Sequence, residues 1–144
     1  MWADLRIIHK DFNSELAWPF EVSKQAVEKW WYFRDCYNSG WLFSFLTHNL
    51  WKSFSWWEIT RENKEWFNKD WDLLHKWAKE FQKTLKQAKE DLEKKKTYTL
   101  YDHYSKKESS LNRKKKKEYF QWLENLILFL ELAIERQANI SWWV

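Results

Sequence analysis

A chain of 144 residues with 25 Lys and Arg against 21 Asp and Glu, a formal net charge of +4, is one domain's worth of polypeptide, residues 1–144, able to bury a core without metals or cross-links. The single cysteine, Cys36, excludes an internal disulfide and the paired Cys/His spacing of a zinc site, and the single glycine, Gly40, excludes a Gly-rich phosphate loop. Met1 is followed by Trp-Ala-Asp-Leu-Arg, without the basic start and apolar run of a signal peptide, and the longest apolar piece, WLENLILFLELAI at 122–134, falls short of the ~20 residues that cross a bilayer, so a soluble protein with no membrane partner is expected.

In chain order, Leu5, Ile8 and Phe12 suit a short helix. LRIIHKDF could also be a strand, and helix is the preferred reading before Pro19 marks a turn. Ser23 is placed to cap a helix with the stripe Ala26, Trp30, Phe33 and Tyr37, ending by about Asn38 with Gly40 as the residue past the end. A second helix from Trp41 to Phe54 aligns Phe43, Leu46, Leu50 and Phe54, and the short link makes the two an antiparallel hairpin.

Ser55 with Glu58 three residues later forms a capping box, so a long helix is predicted from Trp56 to about Lys95, with Asn63 as the place for a break. Its stripe is Phe67, Trp71, Leu74, Ala78, Phe81, Leu85, Ala88 and Leu92. Ser105 with Glu108 is a second capping box, opening a helix that carries Phe120, Leu123, Ile127, Leu130 and Ile134 and ends near Asn139. Leu126, Leu128, Phe129 and Leu132 widen that stripe to most of the circumference, which places this helix at the centre. The tail ISWWV reads as an extended strand or an apolar plug, and a lone strand lacks a partner. The expected architecture is all-α, a helical bundle of four to five helices with two long antiparallel helices.

Average usage would put about ten Gly and seven Pro in such a chain, and only Gly40 and Pro19 are present, beside fourteen tryptophans. Few chain breakers with an aromatic excess resemble the output of a computational optimiser, a de novo designed helical protein; an unusual natural sequence of viral, plasmid or other fast-evolving origin is the other source open to such a composition. The resemblance is one of composition, carried by no motif.

Catalytic chemistry finds little support. Asp72 and His75 make one D-x-x-H pair, half of the paired E-x-x-H arrangement of di-metal bundles, and His9, His48 and His103 have no acid three positions earlier. Cys36 falls near a predicted helix C-terminus, where the dipole disfavours a thiolate. Glu90 with Lys94 is ordinary i,i+4 support. A non-enzymatic protein with no cofactor, metal or small-molecule substrate is therefore expected.

Two features point to binding. Trp30 with Trp31, Trp56 with Trp57, and Trp142 with Trp143 are adjacent pairs; helix neighbours point ~100° apart, so some indole surface stays exposed and offers a site for another protein or for self-association. The alternative is a single-stranded nucleic-acid or other polyanion binder. Lys94, Lys95 and Lys96 end one predicted long helix, Lys106 and Lys107 open the other, and Arg113, Lys114, Lys115, Lys116 and Lys117 follow, with Tyr98, Tyr101 and Tyr104 between them for base stacking. Residues 83–118 hold thirteen Lys or Arg against six Asp or Glu, so this region is +7 and the remainder of the chain −3.

Overall fold

A computed structural model describes residues 3–9, 24–35, 42–50, 54–102 and 105–143. The all-α expectation is overturned: five helices share the described residues with five strands in two antiparallel sheets. The first sheet has the order β2-β1-β5, from β1 (Ala3–Ile7), β2 (Tyr32–Asp35) and β5 (Ile140–Trp143). Leu5 faces Phe33 on one side and Trp142 on the other, so both ends of the described chain meet in one sheet. Ala3, Leu5 and Ile7 point inward while Asp4 and Arg6 alternate outward, the period of a half-buried strand. Where a helix is the preferred reading, residues 3–7 form a strand, while Phe12 and Pro19 lie outside the described residues, and the tail finds in β1 the partner it lacked locally.

The helix expected from Ser23 to Asn38 is cut short. α1 (Lys24–Trp30) ends where Trp31 takes φ 53°, in the left-handed region, and its carbonyl accepts from Ile7 N–H at 3.1 Å. Tyr32 and Phe33 are strong strand formers, and pairing with β1 is available to them only when the helix stops. On the outer face of the sheet, Asp4 accepts from Tyr32 Oη (2.6 Å) and from Arg34 Nε (2.7 Å) and Nη2 (3.1 Å). Ser23, Cys36, Gly40 and the hairpin link expected between the first two helices lie outside the described residues.

α2 (Leu42–Leu50) presents Leu42, Phe43, Phe45 and Leu46 to the core. Its first turn is satisfied by an acid from another element: the Asp35 carboxylate accepts from Leu42 N–H (2.6 Å), Phe43 N–H (3.3 Å) and the Trp56 indole N–H (2.5 Å). Asp35 is fully buried, and the cost of desolvating its charge outweighs those three donors, pushing its pKa up to about 6.

The long helix expected from Trp56 to Lys95 is broken. α3 (Trp56–Glu62) is capped by Ser55 Oγ, which accepts from Glu58 N–H, and ends at Asn63. A 3₁₀ turn at Lys64–Trp66 and an irregular stretch follow, and α4 starts only at His75, running to Glu93. The stretch is pulled out of the helix by pairing: Leu73 exchanges two 2.8 Å backbone hydrogen bonds with Ile140 of β5. Ala78, Phe81, Leu85, Ala88 and Leu92 then form the buried stripe of α4.

α5 (Arg113–Glu135) packs antiparallel to α4. Gln82 Nε2 donates to Glu131 (2.7 Å), and Lys89 pairs with Glu124 (3.1 Å). Leu123, Leu126, Phe129 and Leu130 are fully buried, each worth roughly 1.5–3 kcal/mol of burial. The predicted start at Ser105 is wrong, because residues 99–110 form the β-hairpin β3 (Thr99–Asp102) and β4 (Lys107–Ser110). Asn112 caps α5 instead, its Oδ1 accepting from Lys115 N–H at 2.8 Å. The helix ends at Arg136 rather than near Asn139: Gln137, at φ 51°, donates to the Ile134 carbonyl, and Ala138 donates to that of Ala133. These two bonds are the Schellman arrangement that satisfies terminal carbonyls. No helix is long and apolar enough to cross a membrane among the described residues.

Candidate functional site

Two of the three adjacent tryptophan pairs divide between core and surface, and in the third the Trp30 side chain lies outside the described residues. In α3, Trp56 turns inward and stacks on Phe43 with ring centroids 3.9 Å apart, which sends its neighbour Trp57 outward. In β5, alternation sends Trp142 inward, where its indole donates to Thr60 Oγ1 (3.0 Å) and packs against Phe67 and Phe81, and sends Trp143 out. Trp31 lies between Arg136, whose guanidinium carbon is 4.5 Å from the ring centroid, and His9.

A third element completes a cleft. Asn68 Oδ1 accepts from the Asp70 and Asp72 amides (2.9 and 3.0 Å), its Nδ2 donates to the Asp72 carboxylate (3.2 Å), and its carbonyl accepts from Trp71 N–H (3.1 Å). This turn places Trp71 at φ 61° with its ring half-exposed, a conformation that costs a bulky L-residue about 1–2 kcal/mol. Trp71, Trp57 and Trp143 border the same cavity of about 780 Å³, with Trp142, Thr60 and Ser141 also in its wall. α3 and the turn after it contribute Arg61 and Lys64; the Asn68 turn contributes Asp70 and Asp72. Three rings at 53%, 53% and 71% exposure are a large apolar area for a protein to leave in water.

Chemically the cleft holds rings, two cations, two acids and hydroxyls that are already engaged. Thr60 Oγ1 donates to the Trp56 carbonyl (2.8 Å) while accepting from Trp142, and Ser141 Oγ accepts from the Trp143 indole (3.1 Å). Neither His nor Cys is among its described lining residues. The arrangement suits holding an apolar group between charged flanks.

The Asp72 and His75 pair does not share a helix face. Asp72 belongs to the Asn68 turn, and His75 opens α4 with its N–H donated to Asn139 Oδ1 (3.0 Å). No three His, Cys, Asp or Glu gather to hold a metal among the described residues.

Within the basic stretch a β-hairpin at 99–110 stands between the two long helices, and Lys116 is the cation over the Tyr98 ring among the described residues. Tyr98 is buried: its hydroxyl donates to the carbonyl of Leu92, and Phe45 and Phe120 pack on its ring. Lys116 Nζ covers it at 4.6 Å from the ring centroid. Tyr98 is therefore core rather than a stacking platform. Tyr101 is exposed beside His48, and Tyr104 and His103 lie outside the described residues. Lys94 caps the end of α4, with Lys95 and Lys96 just beyond; Lys106 sits in the hairpin turn at φ 55° and Lys107 begins β4. Arg113, Lys114, Lys115, Lys116 and Lys117 fill the first turns of α5, where the helix dipole disfavours cations, and Lys115 pairs with Glu118 at 3.3 Å.

Sequence reasoning flagged Trp57 and Trp143 through their adjacency but assigned Trp71 to a buried helix stripe. No local signal gives the left-handed turn that turns its ring out. Compared with family models, with curated proteins and with solved structures, the chain matches none of them, so its family is not assigned and its reading rests on its own geometry.

Proposed function

We propose that this chain is a non-enzymatic protein-binding module that takes an apolar stretch of a partner polypeptide into the tryptophan cleft. The observation that carries the reading is that three of the five exposed large hydrophobic side chains among the described residues, Trp57, Trp71 and Trp143, border one cavity. Tryptophan is enriched among interface residues whose truncation costs ~2 kcal/mol or more. Trp71 packs on Phe67 and the Trp143 indole is hydrogen-bonded to Ser141, which lowers the ordering cost at association. Arg61 of α3 and Lys64 of the 3₁₀ turn after it, with Asp70 and Asp72 of the Asn68 turn, orient what enters.

The test is selection of displayed random heptapeptides on the full chain. Enriched peptides that carry a large apolar residue, and whose affinity falls at least tenfold on Trp57→Ala or Trp143→Ala, support the reading. Absence of enrichment, or binding indifferent to both substitutions, refutes it.

A second reading, polyanion binding at 94–117, is favoured by one observation: Lys94, Lys95, Lys96, Lys106, Lys107, Arg113, Lys114 and Lys117 form no ion pair among the described residues. Anisotropy of labelled single-stranded DNA tests it, with binding that fades steeply as salt rises as the expected result. No binding at low salt removes it.

A further inference from the structure

The two outer edges of the three-stranded sheet differ. At β2 the outward carbonyl of Arg34 accepts from the Trp122 indole of α5 (3.0 Å), so a helix covers that edge. At β5 the outward N–H and C=O of Ile140 are both taken by Leu73. Strand alternation makes Trp142 the next residue whose backbone N–H and C=O face outward. By register Trp71 would stand opposite it, two residues before Leu73. Trp71 cannot continue the ladder: its φ of 61° turns the chain away, and its own N–H is spent on the Asn68 carbonyl. The outward groups of Trp142 thus meet no partner among the described residues, although the residue is 6% exposed, and an unpaired backbone donor and acceptor at such a place call for one. Trp142 is itself in the wall of the tryptophan cleft.

We propose that this edge is a strand-addition site, at which an extended segment of a partner polypeptide pairs with Trp142 and extends the sheet. The inference rests on the reading of the cleft as a protein-binding site and adds how the partner's backbone is held. The partner residue opposite Trp142 exchanges two backbone hydrogen bonds with it and points its side chain to the Trp142 face, into the cleft, so that residue is large and apolar. Its flanks carry an acidic group for Arg61 and Lys64 and a basic group for Asp70, a complement to the charges on the two walls. A second copy fits poorly, because its own β5, Ile140–Trp143, carries no acidic or basic side chain to meet Arg61, Lys64 and Asp70.

The probe is a heptapeptide enriched on the full chain, remade with a single N-methyl group at each backbone amide in turn. Strand addition predicts at least tenfold weaker binding when the amide opposite Trp142 is methylated, tolerance at the adjacent amides, and slowed hydrogen exchange of the Trp142 N–H when the unmodified peptide is bound. Tolerance at every amide, with affinity still lost on Trp57→Ala, overturns strand addition and leaves the cleft reading standing. Failure to enrich any peptide sinks both. Concentration-dependent dimerisation that slows Trp142 exchange without peptide makes the occupant a second copy and overturns the proposal.

Discussion

Asp35→Asn isolates the one buried acid among the described residues, which ties β2 to α2 and α3. Folding moves the Asp35 pKa from 3.8 to about 6, because burial penalises the anion more than the Leu42, Phe43 and Trp56 donors stabilise it. A shift of about two units corresponds to ~3 kcal/mol of proton linkage. The sign follows from which state holds the proton. Between pH 4 and pH 6 the folded chain retains it and the unfolded chain has released it, so stability is greatest below about pH 4 and falls as pH rises through 6. Asn at this position carries no charge and has no such slope, although its amide cannot accept from all three donors and the variant is less stable overall. The assay is urea unfolding of both proteins at half-unit steps from pH 4 to pH 7. Taking the difference between the two curves cancels every other titrating group. The expected difference narrows by ~3 kcal/mol across the range, a large part of a domain's 5–15 kcal/mol. Parallel curves, or a gap that widens with pH, would refute the reasoning and mean that the three donors at the head of α2 hold the anion more strongly than burial opposes it.

Trp56→Phe keeps a ring on Phe43 but removes a donor to Asp35, so the stability loss with pH should continue above pH 6 in the same urea titration. Gln137→Gly relieves a left-handed residue at about 1–2 kcal/mol and adds ~0.5–1 kcal/mol of unfolded-state entropy, for a net gain of ~0.5–1 kcal/mol in thermal or urea unfolding; a loss would mean that the Gln137 side chain holds the helix end. Leu123→Ala should cost ~2–5 kcal/mol, as a fully buried position with neighbours on every side. Replacing Lys114, Lys115, Lys116 and Lys117 by Gln should leave peptide binding at the cleft unchanged while flattening any salt dependence of single-stranded DNA binding; a change in the peptide's affinity would place the two surfaces in one site.

What was legible in the sequence was what depends on near neighbours. The stripe at Phe81, Leu85, Ala88 and Leu92 and the Ser55 cap act within a few turns of chain, and each stands in the structure; of the stripe expected on the last helix, Leu123 and Leu130 are buried, whereas Phe120, Ile127 and Ile134 are only partly so. What was not legible depends on distant pairing. Leu5 is bonded between strands that include Phe33 and Trp142, and nothing near Leu5 says so. The alternation of Ala3, Leu5 and Ile7 with Asp4 and Arg6 was a strand signal, weaker over five residues than the helix spacing of Leu5, Ile8 and Phe12 that competed with it. The break before α4 has the same origin, since Leu73, within the expected helix, is drawn out to bond Ile140. With few glycines available, Trp31, Trp71, Lys106 and Gln137 take the left-handed positions themselves, so the usual punctuation of such turns is missing. For the basic stretch, charge clustering was readable, whereas the burial of Tyr98 beneath Lys116 was not, because Phe45 and Phe120 supply the environment that buries it.

The measurement closest to the central claim is the ¹⁵N spectrum of the indole groups during titration with an enriched heptapeptide. The account predicts that the Trp57, Trp71 and Trp143 signals shift together with one saturation curve while those of Trp66 and Trp77, packed on each other elsewhere, stay in place. Shifts confined to backbone signals of the hairpin around Lys106 and Lys107, with the three indoles unmoved, would contradict it.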